Sequence, residues 1–161
     1  MLFLPSEIPR EPSAAPVRSA PSFYGAGAEL GILGPGWIAS QFATSLKELT
    51  KSKLAAIGSR TLARSEDFAR TYGDDGTRAY GSYAQALEDP AVDVLYIAVP
   101  HSGHADLALQ AIAAGKHVLV EKPLGLNAQQ SAQIVQAAKA AGVFAMEAMW
   151  SRLLPIGIVV S

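Results

Sequence analysis

At 161 residues and a formal net charge of −1, the chain has room for one domain with a sizeable core, and its near-neutral balance gives no sign of a nucleic-acid or acidic-membrane partner. Half of the residues are apolar, yet no run approaches the roughly 18 needed to span a bilayer. Cysteine is absent, which excludes disulfides, thiolate metal sites and a cysteine nucleophile without fixing the redox compartment, so a soluble protein that handles small molecules fits best.

Residues 1–27 differ from everything after them. Pro5, Pro9, Pro12, Pro16 and Pro21 alternate with Ser, Ala and Arg without sustained periodicity, and the segment reads as an unstructured arm. Its apolar start, Met1 to Leu4, is too short for a secretory h-region and has no basic stretch before it.

The stretch Leu30 to Ala39, LGILGPGWIA, organises the rest of the chain. An apolar run ends at Gly34, and Gly34, Gly36 and Ala39 fall on the spacing G-x-G-x-x-A before a helical pattern begins, as in a dinucleotide fingerprint. Gly34 permits the tight strand-to-helix turn, Gly36 lets backbone approach a pyrophosphate, and Ala39 lets helix and strand pack closely. The amides and positive dipole end of the helix would hold the phosphates, making its first residues, Trp37 and Ile38, further cofactor-side candidates. A glycine trio alone is weak evidence in a chain with 14 glycines, so its context matters.

That context is an alternation of strands and helices, the pattern of an α/β, doubly wound parallel sheet of the Rossmann type. Ile38, Phe42 and Leu46 recur every fourth residue as one apolar helix face. Lys53 to Ile57 is a second strand, and Thr61 can cap a helix that runs through Tyr72 and stops at Gly73. A short third strand is expected near Arg78 to Tyr80 and a helix around Tyr83 to Glu88. Val92 to Val99, interrupted only by Asp93, reads as a fourth strand buried on both faces and ended by Pro100. A helix from about Gly103 to Ala114 closes at Gly115, and His117 to Val120 forms the fifth strand. Asn127 with Gln130 suggests a capping box for a helix to Ala141 that stops at Gly142, before a sixth strand over Val143 to Met146. Residues 28–150 thus contain a complete dinucleotide-binding domain.

The end of the second strand is informative through what it lacks. NAD-selective folds usually place Asp or Glu there to hold the ribose 2′-hydroxyl. This chain has Gly58, Ser59 and Arg60, with Arg64 one turn on. A hydroxyl and guanidinium groups suit a 2′-phosphate, so NADP is expected as cofactor and NAD less so, the alternative being that both arginines are ordinary solvated charges. A second group of residues follows the fourth and fifth strands, where ligands of an open sheet bind, and should face the nicotinamide end of the cofactor: Pro100, His101, Ser102 and His104, then Glu121, Lys122 and Pro123.

The segments GILGPGWIA, GSR, AVPHSGH, AGKHVLVEKPLGLN and MEAMWSRLLP together resemble the nucleotide-binding half of the glucose-fructose oxidoreductase and inositol dehydrogenase family, Gfo/Idh/MocA. HSGH and EAMWSR look closest to its branch of dimeric dihydrodiol dehydrogenases and NADP-dependent D-xylose dehydrogenases. The resemblance runs from about Ala28 to Pro155. It implies that Lys122 hydrogen-bonds the reacting hydroxyl or carbonyl and takes part in proton transfer, that Glu121 orients or recharges it, and that the bond before Pro123 is cis. Desolvation beside a nicotinamide would make such a lysine a usable acid or base, against the plainer reading of a surface lysine in a turn. The resemblance also implies cofactor-side contacts for His101 and His104, the alternative for each being a helix-start residue that satisfies backbone groups. His117 is expected to be structural, and no histidine has carboxylates at the spacing of a metal site. Glu147, Trp150 and Arg152 are weaker candidates for lining a passage to substrate.

In that family a second domain carries substrate-binding residues and most of the homo-oligomer interface. After Pro155 the remaining IGIVVS no longer tracks the helix expected there, and residues 151–161 read as a truncated connection to that domain. The expected function is that of the nucleotide-binding half of an NAD(P)-dependent oxidoreductase, cytoplasmic, moving hydride between NADP and a sugar, polyol or trans-dihydrodiol. A catalytically inactive NADP-binding module and, more weakly, an interaction domain whose glycines serve only packing are the alternatives.

Overall fold

The computed structural model describes residues 27–149; the proline-rich arm, Trp150, Arg152 and the C-terminal segment lie outside them. The elements alternate in chain order: β1 (Glu29–Leu33), α1 (Trp37–Leu49), β2 (Lys53–Gly58), α2 (Leu62–Tyr72), β3 (Arg78–Tyr80), α3 (Tyr83–Leu87), β4 (Val94–Ile97), α4 (His104–Ala113), β5 (His117–Glu121), α5 (Ala128–Ala141) and β6 (Ala145–Ala148). A 3₁₀ turn, His101–Gly103, leads into α4.

All neighbouring strands run parallel, in the order β3-β2-β1-β4-β5-β6. Strand order reverses between β1 and β4, so a crevice opens beyond their carboxyl ends, where a ligand of such a sheet binds. Two core layers arise from the period-2 alternation of the strands. Ile32, Leu54, Ile57 and Tyr96 meet Ala39, Ala43 and Phe68 beneath α1 and α2. Leu33, Leu95, Ile97, Val118 and Val120 meet the buried faces of α3, α4 and α5 on the other side.

Local signals placed most boundaries, and the departures have local causes. Thr61 sits at the N-cap of α2 without a side-chain cap bond. Asn127 caps α5 by accepting from the Gln130 amide, but the Gln130 side chain accepts from Leu126 rather than from the cap residue, so the box is not reciprocal. The apolar run Val92 to Val99 is longer than the strand it contains: Val92 bonds back to Asp89 in a turn, while Val92 and Val99 stay buried as flanks of β4. β6 begins two residues later than its apolar pattern suggests. Gly142 adopts φ +67, Phe144 donates its N–H to Nδ1 of His117 while its carbonyl accepts from Val118 of β5, and the register with β5 starts at Ala145.

At the opposite end of the sheet from the crevice, Asp89 is buried and accepts from Arg78 Nε at 2.7 Å, Arg78 Nη2 at 2.9 Å and the Tyr80 hydroxyl at 3.0 Å. Burial pushes its carboxyl up, but the Ala91 amide, Arg78 and Tyr80 outweigh that and hold it below the usual carboxylate range.

Candidate functional site: the crevice at the strand termini

The turn after β1 is fixed by contacts on both sides. Gly34 adopts φ +87, donates its N–H to Gly58 of β2 at 3.0 Å, and leaves room for no side chain: a Cβ would lie 2.8 Å from the Ala98 carbonyl oxygen. Gly36 differs. Its backbone is extended (φ −135), and the nearest atom to a Cβ there would be the Gly34 oxygen at 4.0 Å. Packing among the described residues does not require this glycine, so the space above it is a cradle that a side chain would fill. Gly36 is also the N-cap of α1, which has no side-chain cap and no acidic residue in its first turn. The dipole end of the helix is therefore left for an anion. Ala39 is fully buried against the sheet.

A groove of about 290 Å³ extends from this turn. Gly34, Gly36, Trp37, Ile38, Ser59, Arg60, Arg64 and Pro100, all expected on the cofactor side, line it together. Pro35, Tyr83, Ala98 and Val99 complete its wall. Tyr83 is distant in sequence from both the glycine turn and the end of β2; only its position after β3, the strand beside β2, brings it there. Among the described residues, no carboxylate lines the groove. Arg64 donates from Nη2 to the Pro35 carbonyl at 3.2 Å, which holds its guanidinium across from the glycine turn, while Arg60 is exposed and Ser59 is buried. Trp37, 77% exposed, stands at the mouth of the groove.

Lys122 follows β5, two strands from β1 in the sheet and therefore about 10 Å across it, at the same carboxyl edge. The Lys122–Pro123 bond is cis. This turn is held from both faces of the sheet. On the α1 side, Tyr96 of β4 donates to Glu121 Oε1 at 2.6 Å, and Glu121 Oε2 accepts the Lys122 N–H at 3.2 Å. On the α4 side, Glu147 of β6 accepts the Leu124 N–H at 2.8 Å. His104 sets Nδ1 2.7 Å from the Pro123 carbonyl and Nε2 2.9 Å from the Val99 carbonyl.

His104 therefore departs from its expected place. It is fully buried, and both ring nitrogens face backbone carbonyls, so it fastens the Lys122 turn to the end of β4 instead of facing a cofactor. His101 is exposed, its ring centroid 5.5 Å from that of His104, and does not line the groove. Glu121 and Lys122 lie beyond the groove too, and the Lys122 side chain is exposed with no hydrogen bond or ion pair among the described residues. Glu147 points its carboxylate at the Lys122 turn rather than at open space. Among the described residues, no group of three or more His, Asp or Glu side chains could hold a metal ion, and no helix is long and apolar enough to cross a membrane.

The sequence is 44% identical over 127 residues to trans-1,2-dihydrobenzene-1,2-diol dehydrogenase of Mus musculus, a match covering 78% of this chain and 38% of the mouse protein. An NAD binding oxidoreductase from Klebsiella pneumoniae superposes with a TM-score of 0.76 at 34% identity, covering 83% of this chain and 37% of the other. KijD10, a 3-ketoreductase from Actinomadura kijaniata solved with TDP-benzene and NADP, gives 0.78 at 29% identity over 83% of this chain and 42% of the other. The chain spans well under half the length of these relatives. A family profile for an oxidoreductase family with an NAD-binding Rossmann fold matches residues 28–149, nearly every residue just described, and the chain belongs to that family, Gfo/Idh/MocA.

Proposed function

We propose that this chain is the cofactor-binding half of an NADP-dependent oxidoreductase acting on a sugar, a polyol or a trans-dihydrodiol. The observation that carries this reading is the groove beside Gly36: among the described residues, a space that no packing demand explains, at an uncapped helix start, flanked by Ser59, Arg60 and Arg64 and free of carboxylate. The residues fit a phosphate-bearing dinucleotide. Gly34, Gly36 and the first turn of α1 would hold the pyrophosphate, and Arg60 and Arg64 a 2′-phosphate, which a carboxylate would repel. The nicotinamide supplies the hydride acceptor or donor when bound. Lys122 then holds or gives the proton at the reacting oxygen through its ammonium, and Glu121 orients it by accepting its backbone N–H.

Trans-dihydrodiols enter as substrates because the mouse relative is named for one, and NADP because KijD10 was solved with it. The substrate would be a small molecule met in the cytoplasm, and homo-oligomers would form mainly through a second domain; neither nucleic acid nor membrane has a place in this reading.

A second reading, cofactor binding without turnover, is favoured by the exposure of Lys122: no described residue covers its ammonium, whereas hydride transfer needs an oriented substrate in a closed cleft. Two measurements separate the two. Fluorescence titration with NADPH and NADH should show binding with NADPH tighter, and tighter NADH binding overturns the cofactor assignment. NADP reduction with D-xylose or trans-dihydrobenzenediol, lost in Lys122→Met with NADPH binding retained, supports the oxidoreductase; binding without any reduction supports the module.

A further inference from the structure

Glu121 and Lys122 are neighbours of opposite charge, and an ammonium neutralised by the carboxylate beside it would be a poor partner for a substrate oxygen. The structure keeps them apart. Both Glu121 oxygens are engaged, Oε1 by the Tyr96 hydroxyl at 2.6 Å and Oε2 by the Lys122 backbone N–H at 3.2 Å, while the ammonium pairs with no described residue. Tyr96 lies in the middle of β4, 2% exposed, and its ring stacks on Phe42 of α1 with centroids 4.1 Å apart and planes 25° from parallel. With its ring locked between sheet and helix, the phenol has one direction in which to donate.

We infer that Tyr96 is a positioning residue for Lys122: it holds the Glu121 carboxylate down against the sheet, away from the neighbouring ammonium, so that Lys122 stays free for substrate. This rests on the proton-transfer role proposed for Lys122. The hydroxyl is suited to the task because burial, reinforced by the bond to Glu121, drives its titration far above the physiological range and keeps it a donor. The same ring touches the helix that begins at the glycine turn, so one buried side chain braces both ends of the crevice.

The test is the acetylation rate of Lys122 at fixed pH, followed by peptide mass spectrometry against exposed Lys53 and Lys139 as internal references. Tyr96→Phe keeps the stacked ring and removes only the hydroxyl. Freed Glu121 should then pair with the ammonium and slow labelling of Lys122 about threefold, the size of effect a modest exposed ion pair gives. Adding Glu121→Gln in the same chain should restore the original rate. A Lys122 rate that is unchanged in Tyr96→Phe, or that stays slow in the double variant, overturns the inference, as does equal slowing of Lys53 and Lys139. The outcome is independent of turnover: Lys122→Met retaining oxidoreductase activity would remove the catalytic role and leave the labelling result standing.

Discussion

Arg64, one turn into α2, donates from Nη2 to the carbonyl oxygen of Pro35, the residue between the two glycines of the β1 turn, at 3.2 Å. A side chain 29 positions away is thus tied across the groove to the loop expected to carry the pyrophosphate. That fork needs little further ordering to meet a 2′-phosphate, so less conformational entropy opposes binding.

Replacing Arg64 by Gln should therefore weaken NADPH binding by about 2 kcal/mol, roughly thirtyfold, which is the usual worth of a charge-assisted hydrogen bond. NADH binding should change little. Fluorescence titrations of both cofactors check the difference, and equal losses for the two would show that Arg64 serves the turn alone.

The two glycines of the turn should separate stability from binding. Gly34→Ala places a Cβ 2.8 Å from the Ala98 oxygen at a φ of +87, so its melting temperature should fall by several degrees, reflecting about 1–2 kcal/mol for the conformation with the clash added to it. Gly36→Ala meets nothing closer than 4.0 Å and should melt near the wild type. Its cofactor affinity should nevertheless drop at least tenfold, since the methyl would occupy the space of the phosphates. Thermal melts with and without NADPH read both effects.

Asp89 anchors the far end of the sheet. Asp89→Ala would strip Arg78, Tyr80 and the Ala91 amide of their shared acceptor and should cost about 3 kcal/mol in urea unfolding. NADPH affinity of the remaining folded protein should be unchanged, because the cluster lies at the edge away from the groove.

His117 should make stability pH-dependent. It is buried, accepts the Phe144 N–H at Nδ1, and its titration is lowered by burial, which the nearby Asp93 only partly offsets. The folded state therefore binds this proton less readily than the unfolded chain, whose histidine titrates near pH 6.5. Its contribution is complete above that pH and is lost as pH falls below it, with a slope of at most about 1.4 kcal/mol per pH unit. Urea midpoints measured from pH 8 to pH 5 should fall on the acid side, and His117→Asn, which keeps an acceptor without a titrating ring, should flatten that limb. The Asp89 carboxyl, held low, adds a further loss only at more acid pH.

What the sequence determined alone was whatever depends on neighbours along the chain. The apolar spacing of Ile38, Phe42 and Leu46 and the stops at Gly73, Gly115 and Gly142 marked the helices. The glycine spacing marked the turn, because the positive φ at Gly34 is a local backbone demand, although the atoms that bar a Cβ there belong to Ala98 and Val99. Even the groove residues Ser59, Arg60 and Arg64 were legible, since a parallel βαβ unit returns the end of β2 beside the end of β1. Tertiary structure alone decided where the remaining side chains turn. His104 looked like a cofactor contact until packing brought the Pro123 carbonyl, 19 residues on, against its Nδ1. Tyr96 read only as part of a buried strand, and the neighbouring strand set Glu121, 25 residues away, in reach of its hydroxyl. Tyr83 reached the groove because β3 pairs with β2. Such bonds join strands distant in sequence, and their partners exist only once the sheet has closed around them, so no spacing along the chain encodes them.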